Sequence, residues 1–142
     1  MSRKSKRIAE MVADHQGQKL DPHYLGYFQC FNQQLFYEAH EVLEHLWLND
    51  RQGPNGAFYK GLIQLAGAFV HLQRNHPQPA AALFKLALAN FNHYPRIHEH
   101  LNLETTCQLA REWLEELERT RFGANPLAGR SAPELKLEIK SA

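Results

Sequence analysis

The stretch from Ala57 to Arg74 is apolar on nearly every side, and this constrains the fold more than any other feature of the chain. At the ~100° step of an α-helix, Leu62, Ile63, Leu65, Ala66, Phe69, Val70 and Leu72 leave no broad solvent face. A helix of that kind has to be buried, so the remaining segments must wrap around it. One line breaks the pattern: Lys60, Gln64, Gly67 and His71 fall on a single polar stripe. Glycine there costs ~1 kcal/mol of helix stability relative to alanine, which predicts that a backbone, a side chain or a ligand comes close at Gly67.

The wrapping segments also read as helices. Apolar residues recur at spacings of three and four, and no stretch alternates between hairpin turns as strands do. Asp21-Pro22 is a helix start, with Asp as cap and Pro at the first helical position, and a turn follows near Asn32-Gln33-Gln34. A second helix is expected from about Leu35 to Leu48, with Leu35, Ala39, Val42 and Leu46 as its apolar row. The loop Asn49 to Gly56 ends it. Further helices are expected over about Ala80 to Asn92 and Asn102 to Thr120, the latter with the core row Leu103, Cys107, Ala110, Leu114 and Leu117.

The chain therefore reads as all-α: a compact bundle of about five helices with an extended C-terminal tail. Residues 1–20 form a basic N-terminal segment, partly helical or frayed; 21–122 form the bundle; 123–142 form the tail. Pro126, Gly129 and Pro133 interrupt any helical period in that tail, and the alternation of Leu135, Leu137 and Ile139 is too short for a core. The tail is expected to be removable without unfolding the bundle.

At 142 residues with 44% apolar content, one domain with one core is the natural size. Sixteen Lys and Arg against fifteen Asp and Glu leave it near neutrality, so no nucleic acid and no membrane is expected as partner. The basic run Ser2 to Arg7 reads as a solvated end. Cys30 and Cys107 form no Cys-x-x-Cys pair and read as reduced packing residues. No segment approaches the ~20 apolar residues that span a bilayer, and no signal peptide follows Met1, so the expected location is cytoplasmic.

The second helix carries the residues that could do chemistry. His40, Glu44 and Trp47 stand at i, i+4 and i+7 on one stripe, with Tyr37 beside them. The stripe lies at the edge of the apolar face, where an imidazole and a carboxylate need partners. Packing this helix antiparallel to the Ala57–Arg74 helix would bring His40, Glu44, Gln64 and His71 together in a central pocket. Two imidazoles and a carboxylate are an acceptable first shell for Zn²⁺, Fe²⁺ or Mn²⁺, with His40, Glu44 and His71 as the ligands. Glu41, Tyr37, Trp47, Lys60 and Gln64 would line the remaining space and orient a small molecule. A buried His–Glu hydrogen bond is equally compatible with the spacing and is the commoner outcome.

The block Phe31 to Trp47, FNQQLFYEAHEVLEHLW, resembles the signature of the family known as domain of unknown function 309. The block Tyr59 to Leu72, YKGLIQLAGAFVHL, is similar to its second block, and the likeness extends over about Pro22 to Trp113. The resemblance implies a compact helical bundle whose His-x-x-x-Glu-x-x-Trp motif, here His40, Glu44 and Trp47, is suspected of binding metal. It implies no activity. Gln34 departs from the pattern, since relatives often carry Gly there.

Elsewhere the plain readings prevail. His93, His98 and His100 around Pro95 read as a solvated loop, His45 as exposed, Trp113 as core, and Lys85 and Asn92 as solvent-facing. No Ser-His-Asp arrangement or phosphate-cradling loop appears. Three functions stay open: a metal-dependent enzyme, a small-molecule binding module, and a structural or protein-interaction domain whose polar network only fixes helix packing. A homo-oligomer is compatible with each.

Overall fold

In a computed structural model describing residues 20–138, five α-helices run in order: α1 (Pro22–Asn32), α2 (Phe36–Asp50), α3 (Gly56–Gln73), α4 (Pro77–Phe91) and α5 (Leu103–Arg119). The basic run Ser2 to Arg7 and Ile139 lie outside the described residues. The fold is all-α apart from a two-stranded hairpin, β1 (Ile97–His98) with β2 (Leu101–Asn102). Among the described residues no helix is long and apolar enough to cross a membrane.

The helix ends follow from local chemistry. Asp21 caps α1 by accepting from the His23 amide at 2.7 Å, with Pro22 at the first position. Three helices end on a left-handed residue that is not glycine: Gln34 (φ 62°), Asn75 (φ 57°) and Arg121 (φ 53°). At each, a six-to-one bond closes the end, from Leu35 N to Cys30 O (2.8 Å), His76 N to His71 O (2.8 Å) and Phe122 N to Leu117 O (2.9 Å).

As its composition demands, α3 sits at the centre. Phe69 is fully buried, and its ring meets Phe31 of α1, Phe36 of α2, Phe84 of α4 and Trp113 of α5 at centroid distances of 5.7, 5.0, 5.3 and 5.0 Å. Such aromatic pairs add ~0.5–1.5 kcal/mol each beyond area burial, so one side chain ties four helices together. Within α3 the Phe91 ring packs against Gly61, where a Cβ would lie 2.6 Å from it. Gly67 is half-buried, and the neighbour predicted for it is Leu83, whose Cδ1 would lie 3.1 Å from an added Cβ.

Around Pro95 the chain does more than the solvated loop expected there. Glu99 and His100, at φ 47° and 64°, form the two-residue turn of the hairpin, the geometry that suits the strand twist. His98 is half-buried, 2.6 Å from Asn55 Oδ1 and packed on Phe58 and Tyr94. Beyond α5 the tail is extended except for one 3₁₀ turn, Pro126–Ala128. It is held in place: Leu135 is buried, and the Asn32 side chain brackets its backbone, accepting from Leu135 N (2.7 Å) and donating to Leu135 O (2.8 Å). Leu137 bridges to Leu101. Trp113 is core, Cys30 is buried, and His45, Lys85 and Asn92 are exposed.

Candidate functional site

α2 and α3 run antiparallel, which two ring contacts establish. The Lys60 ammonium at the start of α3 lies 4.3 Å from the Trp47 ring centroid near the end of α2, and Arg74 just past α3 lies 5.9 Å from the Tyr37 ring at the start of α2. The polar stripe of α3 and, from α2, only Tyr37 and His40 therefore face one cleft of about 480 Å³, a volume typical of small-ligand sites, and Glu44 stands outside it. Tyr37 and His40 line it from α2, and Lys60, Gln64, Gly67 and His71 line it from α3. Leu83 and Leu86 close the far wall from α4. The cleft is open at the bundle surface and not enclosed at its centre, because His40, Lys60, Gln64 and His71 are all only half-buried.

Within α2, the donor atoms of His40, Glu41 and Glu44 gather within 4.8 Å of one another. His40 Nε2 is 3.4 Å from Glu44 Oε2, as the i, i+4 spacing predicts, and Nδ1 is 3.8 Å from Glu41 Oε1. The imidazole thus stands between two carboxylates, one at each nitrogen. Imidazole with carboxylate oxygens suits Zn²⁺, Fe²⁺ or Mn²⁺. The side chains of His40, Glu41 and Glu44 are 31%, 29% and 41% exposed, so an ion there could exchange with solvent.

The other expected site residues take different positions. His71 shares the cleft with His40 but not the gathered donor set. Its Nδ1 is shut off from solvent and has no hydrogen-bond partner. Burial lowers its pKa, and the positive charges of His76 and Arg74 lower it further, so the ring is neutral at pH 7. Gln64 Oε1 accepts from Asn90 Nδ2 of α4 at 2.7 Å, which fixes its side chain along the cleft wall. Trp47 stays outside the lining and acts as a seat for Lys60 on one side and Arg51, at 5.5 Å, on the other.

Four contributors were not foreseen. Arg74 continues the α3 stripe one turn beyond His71, a signal present in the spacing. Leu83, Leu86 and Asn90 come from α4, and nothing local in the sequence marks them as facing this cleft.

Residues 24–83 match the family described as Domain of unknown function (DUF309). An "Uncharacterized protein" of Aquifex aeolicus (strain VF5) is 35% identical over 106 residues, which cover 75% of this chain and 29% of that protein. The chain thus spans less than a third of that relative's length. No solved structure matches. The matched residues contain the His40, Glu41 and Glu44 cluster and the whole of α3, so from α1 into α4 the chain is similar to the family described as Domain of unknown function (DUF309).

Proposed function

We propose that the α2–α3–α4 cleft is a small-molecule binding site with a divalent cation at its edge. The observation that carries this reading is the gathering of His40, Glu41 and Glu44 donors within 4.8 Å, with His40 also in the cleft wall. One imidazole cannot give both nitrogens to one ion. Nε2 with Glu44 then forms the ligand pair, and Glu41, facing Nδ1, accepts its proton and fixes the tautomer, as carboxylates commonly do behind a metal-bound histidine. Solvent and the bound molecule complete the coordination, with Zn²⁺, Fe²⁺ and Mn²⁺ the suitable ions. Gln64, Lys60 and His71 face the molecule instead of the ion, and Tyr37 and Trp47 hold the cations that flank it.

Binding is supported better than covalent turnover, since no Ser, Thr or Cys among the described residues lines the cleft. A metal-activated water remains the route by which the same site would act as an enzyme. The alternative, a polar network that only fixes helix register, draws support from the Gln64–Asn90 bond, which joins α3 to α4 without any ligand. Elemental analysis of protein purified without a His tag, followed by Mn²⁺ and Zn²⁺ titration, tests the proposal. One ion per chain, lost with chelator and weakened in Glu44→Gln, is the expected result. A chain that binds neither ion refutes the metal half.

A further inference from the structure

The geometry points to an amphipathic organic anion as the occupant of this cleft, its charged head beside Arg74 and its apolar body along Ile63, Val70, Leu83 and Leu86. The inference rests on the binding reading above and names the ligand class for it. Among the described residues the charge of the lining is one-sided: Lys60 and Arg74 are permanent cations, and no carboxylate lines the cleft, Glu41 and Glu44 standing outside it. Neither cation is ion-paired among the described residues. Fourteen residues separate them on one stripe, ~21 Å of helix, so a small molecule with one head meets only one of them.

Arg74 is the better placed. Lys60 already rests on the Trp47 face at 4.3 Å, whereas Arg74 lies 5.9 Å from the Tyr37 ring and is exposed. The permanent charge of Arg74 gives this end of the cleft a positive potential. A helix C-terminus ordinarily repels anions, but the carbonyls here are covered. His71 O accepts from Arg74 N and His76 N, and Leu72 O accepts from Asn75 N and, at 2.6 Å, from Asn125 Nδ2. A planar guanidinium then presents paired donors to carboxylate or phosphate.

The wall next to that head is apolar and partly uncovered. Ile63 and Val70 form its floor, and Leu86 in the α4 wall is 50% exposed, apolar surface that the body of a ligand would cover. Gly67 keeps the floor open between them, since a Cβ there would crowd Leu83 at 3.1 Å. A polar ligand without an apolar body would leave this strip wet.

Calorimetric titration of the full chain with octanoate, octyl phosphate and octanamide tests the inference, with Mn²⁺ titrated separately. The two anions should bind saturably, and Arg74→Gln should weaken both by about tenfold or more. Lys85→Gln, which removes the same charge from a residue paired with Glu118 away from the cleft, should leave them unchanged. Leu86→Gln should weaken octanoate more than butyrate. Octanamide binding as tightly as octanoate, or Arg74→Gln and Lys85→Gln acting alike, overturns the anion assignment while leaving the site standing. Failure of all three ligands with Mn²⁺ still bound also overturns it, and failure of Mn²⁺ as well removes the site itself. Octanoate held less tightly than octyl phosphate identifies a phosphate head; the reverse identifies a carboxylate.

Discussion

Replacing Glu44 with Gln keeps the size and hydrogen-bonding capacity of the side chain and removes its charge, so it separates a ligand role from a packing role. A buried His–Glu bond lost in this way would cost ~1–3 kcal/mol. The pair is not buried: His40 is 31% exposed, Glu44 is 41% exposed, and the atoms stand 3.4 Å apart. Exposed pairs of this kind are worth under ~1 kcal/mol, so the metal-free protein should barely notice the change. The metal-loaded protein should. An ion binding only the folded chain adds ~2.7 kcal/mol at a concentration one hundred times its Kd. A tenfold weaker Kd in Glu44→Gln reduces that gain to roughly half at the same concentration. Denaturant melts of both proteins, with Mn²⁺ and with chelator, read the difference directly. A wild type insensitive to chelator, with the whole loss in Glu44→Gln present in metal-free protein, would refute the reasoning.

Gln34→Gly should raise stability by about 0.5–1 kcal/mol, because Gln34 holds φ 62° at the end of α1, a conformation that costs ~1–2 kcal/mol for a residue with a Cβ; a lower melting temperature would contradict this. Leu135→Ala should cost about 2–3 kcal/mol through the buried volume it removes, and truncation after Gly123 should keep the helical circular dichroism while lowering the denaturant midpoint. An unchanged midpoint would show that the docked tail contributes nothing. For His71 the sign follows from its lowered pKa: below pH 6.5 the unfolded chain takes up a proton that the folded chain resists, so stability falls with pH until the folded value is reached. His71→Phe should flatten that part of the stability curve, seen in urea melts from pH 7 to 5, and an identical slope would exclude a contribution from His71.

What was legible in the chain divides along the range of the interactions involved. Helix limits came within one to three residues of the expected ones because caps and turns are local: Asp21-Pro22 starts α1, and the Asn49 to Gly56 loop separates α2 from α3. The hairpin was not legible. Two residues per strand are too few to alternate, and Glu99-His100 is not the Asn-Gly type of pair that announces a left-handed turn. The tail reads as a linker by composition, yet Leu135 is buried through a bond pair from Asn32, a hundred and three residues away. Gly61 shows the same limit. Gly61 and Gly67 both interrupt the apolar surface of α3, and only the partner helix reveals that Phe91 takes the space at Gly61.

The candidate site obeys that division too, and this explains why its chemistry looked more like a metal shell in one dimension than it does in three. A stripe argument pairs His40 with Glu44 correctly, since both positions and the bond between them belong to one helix. It also places His71 opposite, but a facing stripe fixes only which side of α3 a residue occupies, not whether its donor reaches an ion. Glu41, ~100° round the helix from His40, falls off the stripe, yet the imidazole reaches it through its second nitrogen at 3.8 Å. The walls that would select a ligand come from α4, whose leucines look in isolation like any partly exposed helical face. Once α4 is in place, the same His71 that a sequence reading assigns to a cation lines a cleft whose full charges, among the described residues, are positive. On the proposed reading the cation takes the edge, between His40 and its two carboxylates, and the anion the cleft beyond it.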